Sequence, residues 1–472
     1  MFWAEGSPVR RTGGKVMFSA TDLTKHLGCT HSTHLELLRL AGDLPVPKGE
    51  DAGLDLLARL GNRHEDAYLE SLMANGLTVV RIETAFGVEE RRLAAAQTVA
   101  AIRSGADVVY QAVLDDGDFG GQADFLLKVK RKSDLGDWSY DVADTKLARR
   151  LKVAALLQMT VYAEALGHLQ GAPPEWLYVV TGDGESRPWR YADVASYARS
   201  ARTRFVEFVT DRPDTEAIPV EQCGQCRWAT RCDTEWQEAD DLSLVANMTR
   251  GQREKFREAE IRTVQSLAGT AVTDLPSTVG EAARRRLAAQ AALQVQERDT
   301  GVPAIVLLDP HHDRDGILLP KGLLRLPEPD KGDVYLDFEG DPYAEDGAGR
   351  EYLAGIGYAD GTAFLPLWAH NPGEEAVLAA GLIRLLTERA AEFPGMHVYH
   401  YAPYETTALK RLAQRHGLGE TDLDTLLRDG RFVDLYAVVR EGLRISKGPT
   451  ASRSWRRSTG TRSEAPTPRR AK

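Results

Sequence analysis

This chain has no surplus of basic residues. Its 59 lysines and arginines face 69 aspartates and glutamates, leaving a formal charge of −10 at pH 7 over 472 residues. That balance excludes a general basic coat for nucleic acid and leaves room for a local basic groove. No apolar run approaches the ~20 residues that a membrane span requires, so no membrane association is expected. The opening MFWAEGSPVRRTGGKVMF lacks a long apolar stretch and a cleavage pattern, which predicts no secretory signal and a cytoplasmic protein. A G-x-x-x-x-G-K-[ST] phosphate loop is missing as well, since TGGKV lacks the spacing, and no ATPase activity is expected. There is no internal repeat at a solenoid period. Cysteine is scarce, with four in the chain.

What is present fits a folded protein. Hydrophobic residues make up 43% and charged residues 27%. At roughly 100–200 residues per domain, the length predicts two to three domains. Residues 1–15 read as a flexible polar leader. From 16 to 238 the pattern is α/β: FSATDLTKHLG puts Ser19 or Thr21 at a helix N-cap, and helices are predicted over 54–75, 89–103, 150–169 and 193–209. Strands are predicted at LTVVRI, around GGQADFLLKVK, at WSYDVADTKL and at WLYVVTG. Residues 239–300 are helical and charged. A second α/β pattern runs over 301–447, with strands at VYLDFEGD, EYLAGIGYAD, TAFLPLW and MHVYHYA and a helix near 374–391. Residues 448–472 are basic and rich in Ser, Thr and Pro, which predicts disorder.

Three of the cysteines, Cys223, Cys226 and Cys232, form C-x2-C-x5-C in QCGQCRWATRC, and Cys29 stands far upstream. Four thiolates complete a 4Fe–4S cluster or a tetrahedral zinc site. Disulfides are not expected in a cytoplasmic chain. Four unrelated buried thiols are the plainer reading, but three cysteines so close together are uncommon at this low content. Spacing alone does not choose between iron–sulfur and zinc, although a zinc ribbon would use two local C-x2-C pairs. One remote cysteine with a local triplet fits a staple that closes the two ends of a domain.

Between those cysteines lie GGQADFLLKV and YDVADTKLA, with Asp124 near the start of one strand and Asp144 near the end of another. Residues i and i+2 of a strand share a face, so Asp144 and Lys146 point the same way. Two carboxylates with a lysine suit metal-assisted phosphodiester hydrolysis. The carboxylates offer hard oxygen ligands to Mg²⁺ or Mn²⁺, which would polarise the phosphate and make a water acidic. The lysine would position that water and stabilise developing charge. A D-x-K pair is common on solvent-facing strands, so it carries weight only with companions. His64, in GNRHEDAYLESL, is a candidate further metal ligand. Gln158 and Tyr162, in LLQMTVYAEAL, stand at i and i+4 and face one side of the next helix.

The order Cys, G-x-x-H-E, G-x-x-D, D-x-K, Q-x-x-x-Y, then C-x2-C-x5-C resembles the PD-(D/E)XK nucleases of the RecB type. It is most similar to their iron–sulfur subset, the AddB nuclease domain and the CRISPR-associated RecB-like exonucleases. The resemblance covers about residues 15–236. It implies a restriction-endonuclease-like α/β core over 16–238 with a helical surround stapled by iron and sulfur. It further implies that His64, Asp124, Asp144 and Lys146 form the site, that Gln158 and Tyr162 support it or contact DNA, and that Cys29, Cys223, Cys226 and Cys232 carry a 4Fe–4S cluster. Many relatives have Glu where Asp144 stands. Over its whole length the chain is similar to RecB-like nucleases that normally continue into a superfamily 1 helicase, which is missing here.

Within 239–300, FREAEIRTVQSLAGT resembles a helix-hairpin-helix module, which grips the DNA backbone without reading sequence. Glu260 replaces the usual hairpin glycine, and a plain helical linker is the other reading. VYLDFEGDPY sets Asp337 and Glu339 on one strand face, a two-carboxylate clamp of the RNase H-like exonuclease kind. YHYAPYE, with Glu405, and RFVDLY, with Asp434, resemble later segments of that domain. A final carboxylate is not evident, so this RNase H-like domain is expected to be incomplete. The composition changes at Gly448, after FVDLYAVVREGLRISK, and the expectation is a shifted reading frame over 448–472; a natural basic tail touching DNA phosphates is the alternative. Together these features predict a Mg²⁺- or Mn²⁺-dependent DNA nuclease acting on single strands or ends, in repair, recombination or defence, with a helicase as an expected partner. The alternative is a non-catalytic iron–sulfur DNA-binding module of a nuclease–helicase complex.

Overall fold

The computed structural model describes residues 10–12, 15–45, 47, 52–83, 87–148, 150–359, 361 and 363–448. The tail expected from 448 on therefore lies, past its first residue, outside the described residues, as does most of the leader expected over 1–15. The chain divides into two compact units, Met1–Glu235 and Trp236–Lys472.

The leader differs from expectation where it is described. Arg10–Thr12 (β1) pairs antiparallel with Lys15–Met17 (β2), Arg10 opposite Met17. A hairpin of this size is held by backbone hydrogen bonds and needs no apolar run, so composition gives no sign of it. Helix α1 (Ala20–Gly28) starts at Ser19, not Thr21. The Ser19 hydroxyl accepts from the Asp22 N–H at 3.2 Å, and the Asp22 carboxylate accepts from the Ser19 N–H at 2.7 Å. This reciprocal capping box satisfies donors that a helix start leaves open.

Helices α2 (Thr30–Ala41) and α3 (Ala52–Ala74) come before β3 (Val79–Arg81), and α4 (Val88–Ser104) before β4 (Val108–Asp115). Then come β5 (Gly120–Val129), β6 (Ser139–Lys146), α5 (Val153–Gln170), β7 (Trp176–Thr181), β8 (Ser186–Arg190), α6 (Tyr191–Asp211) and α7 (Ala229–Glu238). The six strands lie in the order β3-β4-β5-β6-β7-β8. Strands β4, β5 and β6 are antiparallel neighbours, β3 runs parallel to β4, β6 parallel to β7, and β8 returns antiparallel as an exposed edge. The sheet is covered at its centre, because β6 is buried from Ser139 through Thr145.

Helix α5 explains that burial. Apolar residues surround it almost completely, which is the pattern of a helix with no free face. Leu156, Met159, Ala163 and Leu166 pack with Val142 and Val179 of the sheet. On another side, Val161 joins Phe18, Leu23, Phe119 and Phe205. Thus α5 is fixed from both sides, directly above the strands that bear Asp124 and Asp144.

In the second unit, α8 (Arg250–Glu258), α9 (Val264–Gly269) and α10 (Glu281–Thr300) share a core of Phe256, Val264, Leu267 and Leu287. Between α8 and α9, Glu260 sits at φ 61°, in the left-handed region that favours glycine. The unit continues through β9 (Ile305–Leu307), β10 (Val334–Asp341), α11 (Ala344–Gly347), β11 (Arg350–Tyr358), β12 (Phe364–Trp368) and α12 (Pro372–Glu392). It ends with β13 (Val398–His400), α13 (Tyr404–His416), α14 (Glu420–Arg428), β14 (Phe432–Asp434), α15 (Leu435–Gly442) and β15 (Leu443–Ile445). Five strands form a mixed sheet in the order β12-β11-β10-β13-β14, with β10 to β12 antiparallel and β13 and β14 parallel to β10. Parallel neighbours require crossovers, which α12 and the α13–α14 pair supply. Strand β15 does not extend this sheet; it pairs with β9 instead.

The helical part of this unit holds a buried ion pair. Arg253 Nε and Nη2 donate to the two Asp241 oxygens at 2.9 and 2.7 Å, and both side chains are buried. Removing one partner of such a pair leaves an uncompensated charge. Asp241→Ala is expected to cost about 3–5 kcal/mol, while the joint replacement Asp241→Leu with Arg253→Met should cost far less. Hydrogen exchange over 242–300 checks this: protection should collapse in the single variant and largely return in the double one.

Candidate active site

Strands β5 and β6 bring two acids together. Phe125 pairs with Ala143, so Asp124 and Asp144 follow next to each other on adjacent strands. Asp144 is buried, and Lys146 Nζ stands 2.5 Å from its Oδ2. The Thr145 N–H donates to Asp124 Oδ2 at 3.2 Å. Asp124 lies within β5, further into the strand than its sequence position suggests.

The neighbouring strand is distorted at this level. Tyr110 pairs with Phe125 and Ala112 with Ala123, but Gln111, which faces Asp124 between them, adopts φ 57° and leaves the ladder. A non-glycine residue held there carries strain of order 1–3 kcal/mol, and such residues cluster at functional sites. The Gln111 side-chain amide donates to Glu65 Oε1, on α3. Glu65 is thereby a third acid of the site. It directly follows His64 in GNRHEDAY, so its type and place were visible; Gln111 signals itself only by interrupting the apolar alternation of VVYQAVLD.

Electrostatics tie these groups together. Burial pushes the Asp124 carboxyl well above the usual carboxylate range, and the charges of Asp144 and Glu65 push it further, with Lys146 pulling the other way. Glu65 is also raised, by burial first, although hydrogen bonds from Tyr110 and Gln111 offset part of this and Asp144 adds to it. Burial works against the Lys146 ammonium, but Asp144 and Asp124 outweigh it and raise its pKa. Tyr162 is raised by burial and then by Asp124 and Asp144, so its hydroxyl keeps its proton. Its ring lies against Gly121 of β5, where a Cβ would stand 2.9 Å from the ring.

Two sequence candidates turn elsewhere. Gln158, one turn before Tyr162, reaches Thr21 Oγ1 of α1 at 3.5 Å. His64 Nε2 lies 3.2 Å from the Val180 carbonyl on β7, leaving Nδ1 for another partner. A histidine that donates one ring N–H to a carbonyl is held in the orientation typical of a metal ligand. Among the described residues, no group of three or more His, Cys, Asp or Glu side chains is drawn tightly enough to hold a metal ion as it stands. The donor set nevertheless suits a hard divalent cation: three carboxylates face one ammonium, and added positive charge would favour the ionised form of Asp124 against its raised pKa.

The four cysteines meet. Cys29 links α1 to α2, Cys223 lies in the short helical turn Glu221–Gln225 with Cys226 at its end, and Cys232 lies on α7; all four line one cavity with Leu35, Val220 and Trp228. Burial raises the thiols of Cys226 and Cys232, the latter to about 12. The Val220 N–H donates to Cys223 Sγ at 3.3 Å, and a backbone bond from Trp228 favours the Cys226 thiolate. The two chain segments touch closely here: a Cβ on Gly28 would stand 1.9 Å from Gln222 Oε1, and Gln222 Nε2 donates to the Lys25 carbonyl at 3.1 Å. Trp228 Nε1 adds a bond to buried Glu36 at 2.9 Å. Four cysteine sulfurs around one cavity, with backbone donors aimed at two of them, are a donor set suited to a thiolate-held metal centre. His31 lines the same cavity, and burial lowers its pKa.

In the second unit, Asp337 and Glu339 stand on the exposed face of β10, alternating with buried Leu336 and Phe338. Glu405 is buried on α13, with His400 Nδ1 3.4 Å from its Oε2. Burial would lower the His400 pKa, but the bonds to Glu405 and the Ala402 carbonyl raise it. Asp434 Oδ1 accepts from the N–H groups of Ala402, Tyr436 and Ala437, capping α15. Among the described residues, no hydrogen bond or ion pair links Asp337 and Glu339 to Glu405 and Asp434.

A family model described as the RNase_H superfamily matches residues 334–449, beginning with the first residue of β10. The match supports a nuclease-like fold in the second unit and is consistent with a nuclease-type hydrolase. No curated protein matches the chain. Among the described residues, no helix is long and apolar enough to cross a membrane.

The raised Asp124 pKa has a measurable consequence. Its proton competes with a cation, so Mn²⁺ affinity should fall as pH drops through that raised value, and binding should release a proton. Calorimetry in two buffers with different ionisation heats reads that proton directly. Equal heats in both buffers at mildly acidic pH would refute the coupling, and Asp124→Asn should abolish it.

Proposed function

We propose that the chain is a Mg²⁺- or Mn²⁺-dependent deoxyribonuclease of the RecB-like PD-(D/E)XK type. It hydrolyses phosphodiester bonds in single strands or at DNA ends, with its main site in the first unit. The observation that carries this reading is the convergence of Glu65, Asp124, Asp144 and Lys146 on adjacent elements, with the Asp124 pKa raised by burial and by the neighbouring acids. Asp124, Asp144 and Glu65 are the residues that would hold the cation, with His64 Nδ1 as a further donor. When bound, the cation supplies Lewis-acid polarisation of the phosphate. Lys146, kept charged by the two aspartates, orients the attacking water and stabilises charge on the phosphate. Tyr162 keeps its proton and can donate to a phosphate oxygen, and Gln158 steadies α5 against α1. Asp337, Glu339, Glu405 and Asp434 form a second candidate site in the RNase H-like domain. DNA is the proposed substrate, and a helicase the proposed companion.

Cleavage of end-labelled single-stranded DNA with Mn²⁺ tests this. Asp144→Asn and Lys146→Ala should each reduce the rate by on the order of 10²–10³, as loss of a group stabilising transition-state charge does. Rates unchanged in both would show that the activity, if present, comes from elsewhere, and Asp337→Asn in the same assay locates it.

The four cysteines are proposed to hold a 4Fe–4S cluster that staples the ends of the first unit. Protein purified without oxygen should be brown, absorbing near roughly 400 nm as thiolate-ligated iron does. Cys29→Ser should remove the colour and the protease resistance of the first unit, because closing loops of a hundred residues or more is worth on the order of 4–5 kcal/mol. Colourless protein with stoichiometric zinc would refute the cluster.

A further inference from the structure

The cysteine cavity contains one polar ring without an obvious task. His31 is buried, and its Nδ1 lies 2.8 Å from Thr215 Oγ1. Its Nε2 is buried and has no hydrogen-bond partner. The nearest carboxylate oxygen, Glu235 Oε2, is 3.8 Å away, beyond hydrogen-bond reach, and belongs to a side chain that keeps 36% of its exposure. On its other flank the ring stacks on His34, centroids 6.1 Å apart. A simple structural histidine would bond at both nitrogens, since leaving a buried polar atom unmade costs about 1–3 kcal/mol. Besides the cysteines, Ser32 and Gln222 are its polar companions in the lining, and Leu35, Ala217, Ile218, Ala229 and Trp228 are apolar around it. In the tautomer with the Thr215 hydroxyl as donor to Nδ1, the ring proton is on Nε2, and no acceptor among the described residues lies within hydrogen-bond reach of it.

We propose that His31 is a hydrogen-bond donor to the centre held by Cys29, Cys223, Cys226 and Cys232, with Nε2–H donating to one of its sulfurs and Thr215 fixing the tautomer. This rests on the iron–sulfur reading above. His31 is then a positioning residue that tunes the centre. Hydrogen bonds to sulfur favour the more negative, reduced form, so they raise the reduction potential.

The test uses the full chain, purified without oxygen, with iron content, midpoint potential and resonance Raman spectra as readouts. His31→Phe keeps the ring volume and removes the donor. It should retain iron, lower the midpoint by about 59 mV if preference for the reduced form falls tenfold, and show a smaller shift of iron–sulfur frequencies on exchange into D₂O, the remainder coming from the backbone donors to Cys223 and Cys226. His31→Gln, whose amide can place an N–H near Nε2, should restore both. If His31→Phe does not load iron, Thr215→Val provides the second reading: iron retained, with a smaller downward shift. Full iron with unmoved potential and an unchanged D₂O response would overturn the donor role while leaving the cluster intact. Failure of His31→Gln to restore either readout would also overturn it. So would nitrogen coupling in pulsed EPR strong enough for a direct iron–nitrogen bond. Native protein containing zinc and no iron would remove the cluster itself, a distinct failure.

Discussion

Two carboxylates placed side by side on adjacent strands repel each other, and much of the first unit is arranged around that repulsion. Asp124 and Asp144 sit where β5 and β6 run antiparallel under α5, and burial denies them the solvent that would weaken their interaction. The surrounding chain answers in three ways. Lys146 is drawn onto Asp144. The Asp124 carboxyl is pushed toward its protonated form, by burial first and then by Asp144 and Glu65. Gln111 leaves the β4 ladder and turns its amide to the third acid, Glu65. None of these would be needed in a sheet built only for stability, and replacing the acids by leucines would simplify it. A site that stays short of positive charge in this way is ready for a divalent cation.

The cysteine cavity performs a different physical task from the acids. It draws together pieces of chain that lie far apart in sequence, with Gly28 pressed on Gln222 and Glu36 accepting from Trp228. The lining of this corner is mostly apolar, apart from the cysteines, His31, Ser32 and Gln222. The proposed cluster would add a cross-link here between segments far apart in sequence, while the apolar centre under α5 packs against the sheet that bears the acids.

The legibility of the sequence followed the range of the interactions concerned. Local chemistry was readable: an N-cap at Ser19 or Thr21, which the structure resolves to Ser19, a helix over 150–169, and the placement of Asp337 and Glu339 on one face of a strand. The spacing of Asp144 and Lys146 placed them on one strand face. Strand β4 was missed because Gln111 interrupts its pattern, and β8 because every residue in it is exposed. Glu65 went unassigned because adjacency to His64 says nothing about which way a helix turns its side chains; only the packing of α3 against the sheet settles that. Gln158 was grouped with Tyr162 by helical spacing, yet α1 claims its amide. Expectations for the two chain ends fall largely outside the described residues, and the hairpin at Arg10–Met17 is held by backbone pairing that composition does not record.

Both sheets share one trait at an outer strand. The exposed edge β8 carries Pro188 in its middle, and the edge β12 carries Pro366 in its middle. Proline offers no N–H, so each of these borders lacks a donor where an incoming strand would begin to pair. The opposite borders, β3 and β14, are three residues long. Short or interrupted borders resist the strand-by-strand recruitment that leads to aggregation. The two larger sheets are thereby shielded at these borders from edge-to-edge pairing with further copies, and a companion meeting them there would grip side chains or helices and not add a strand.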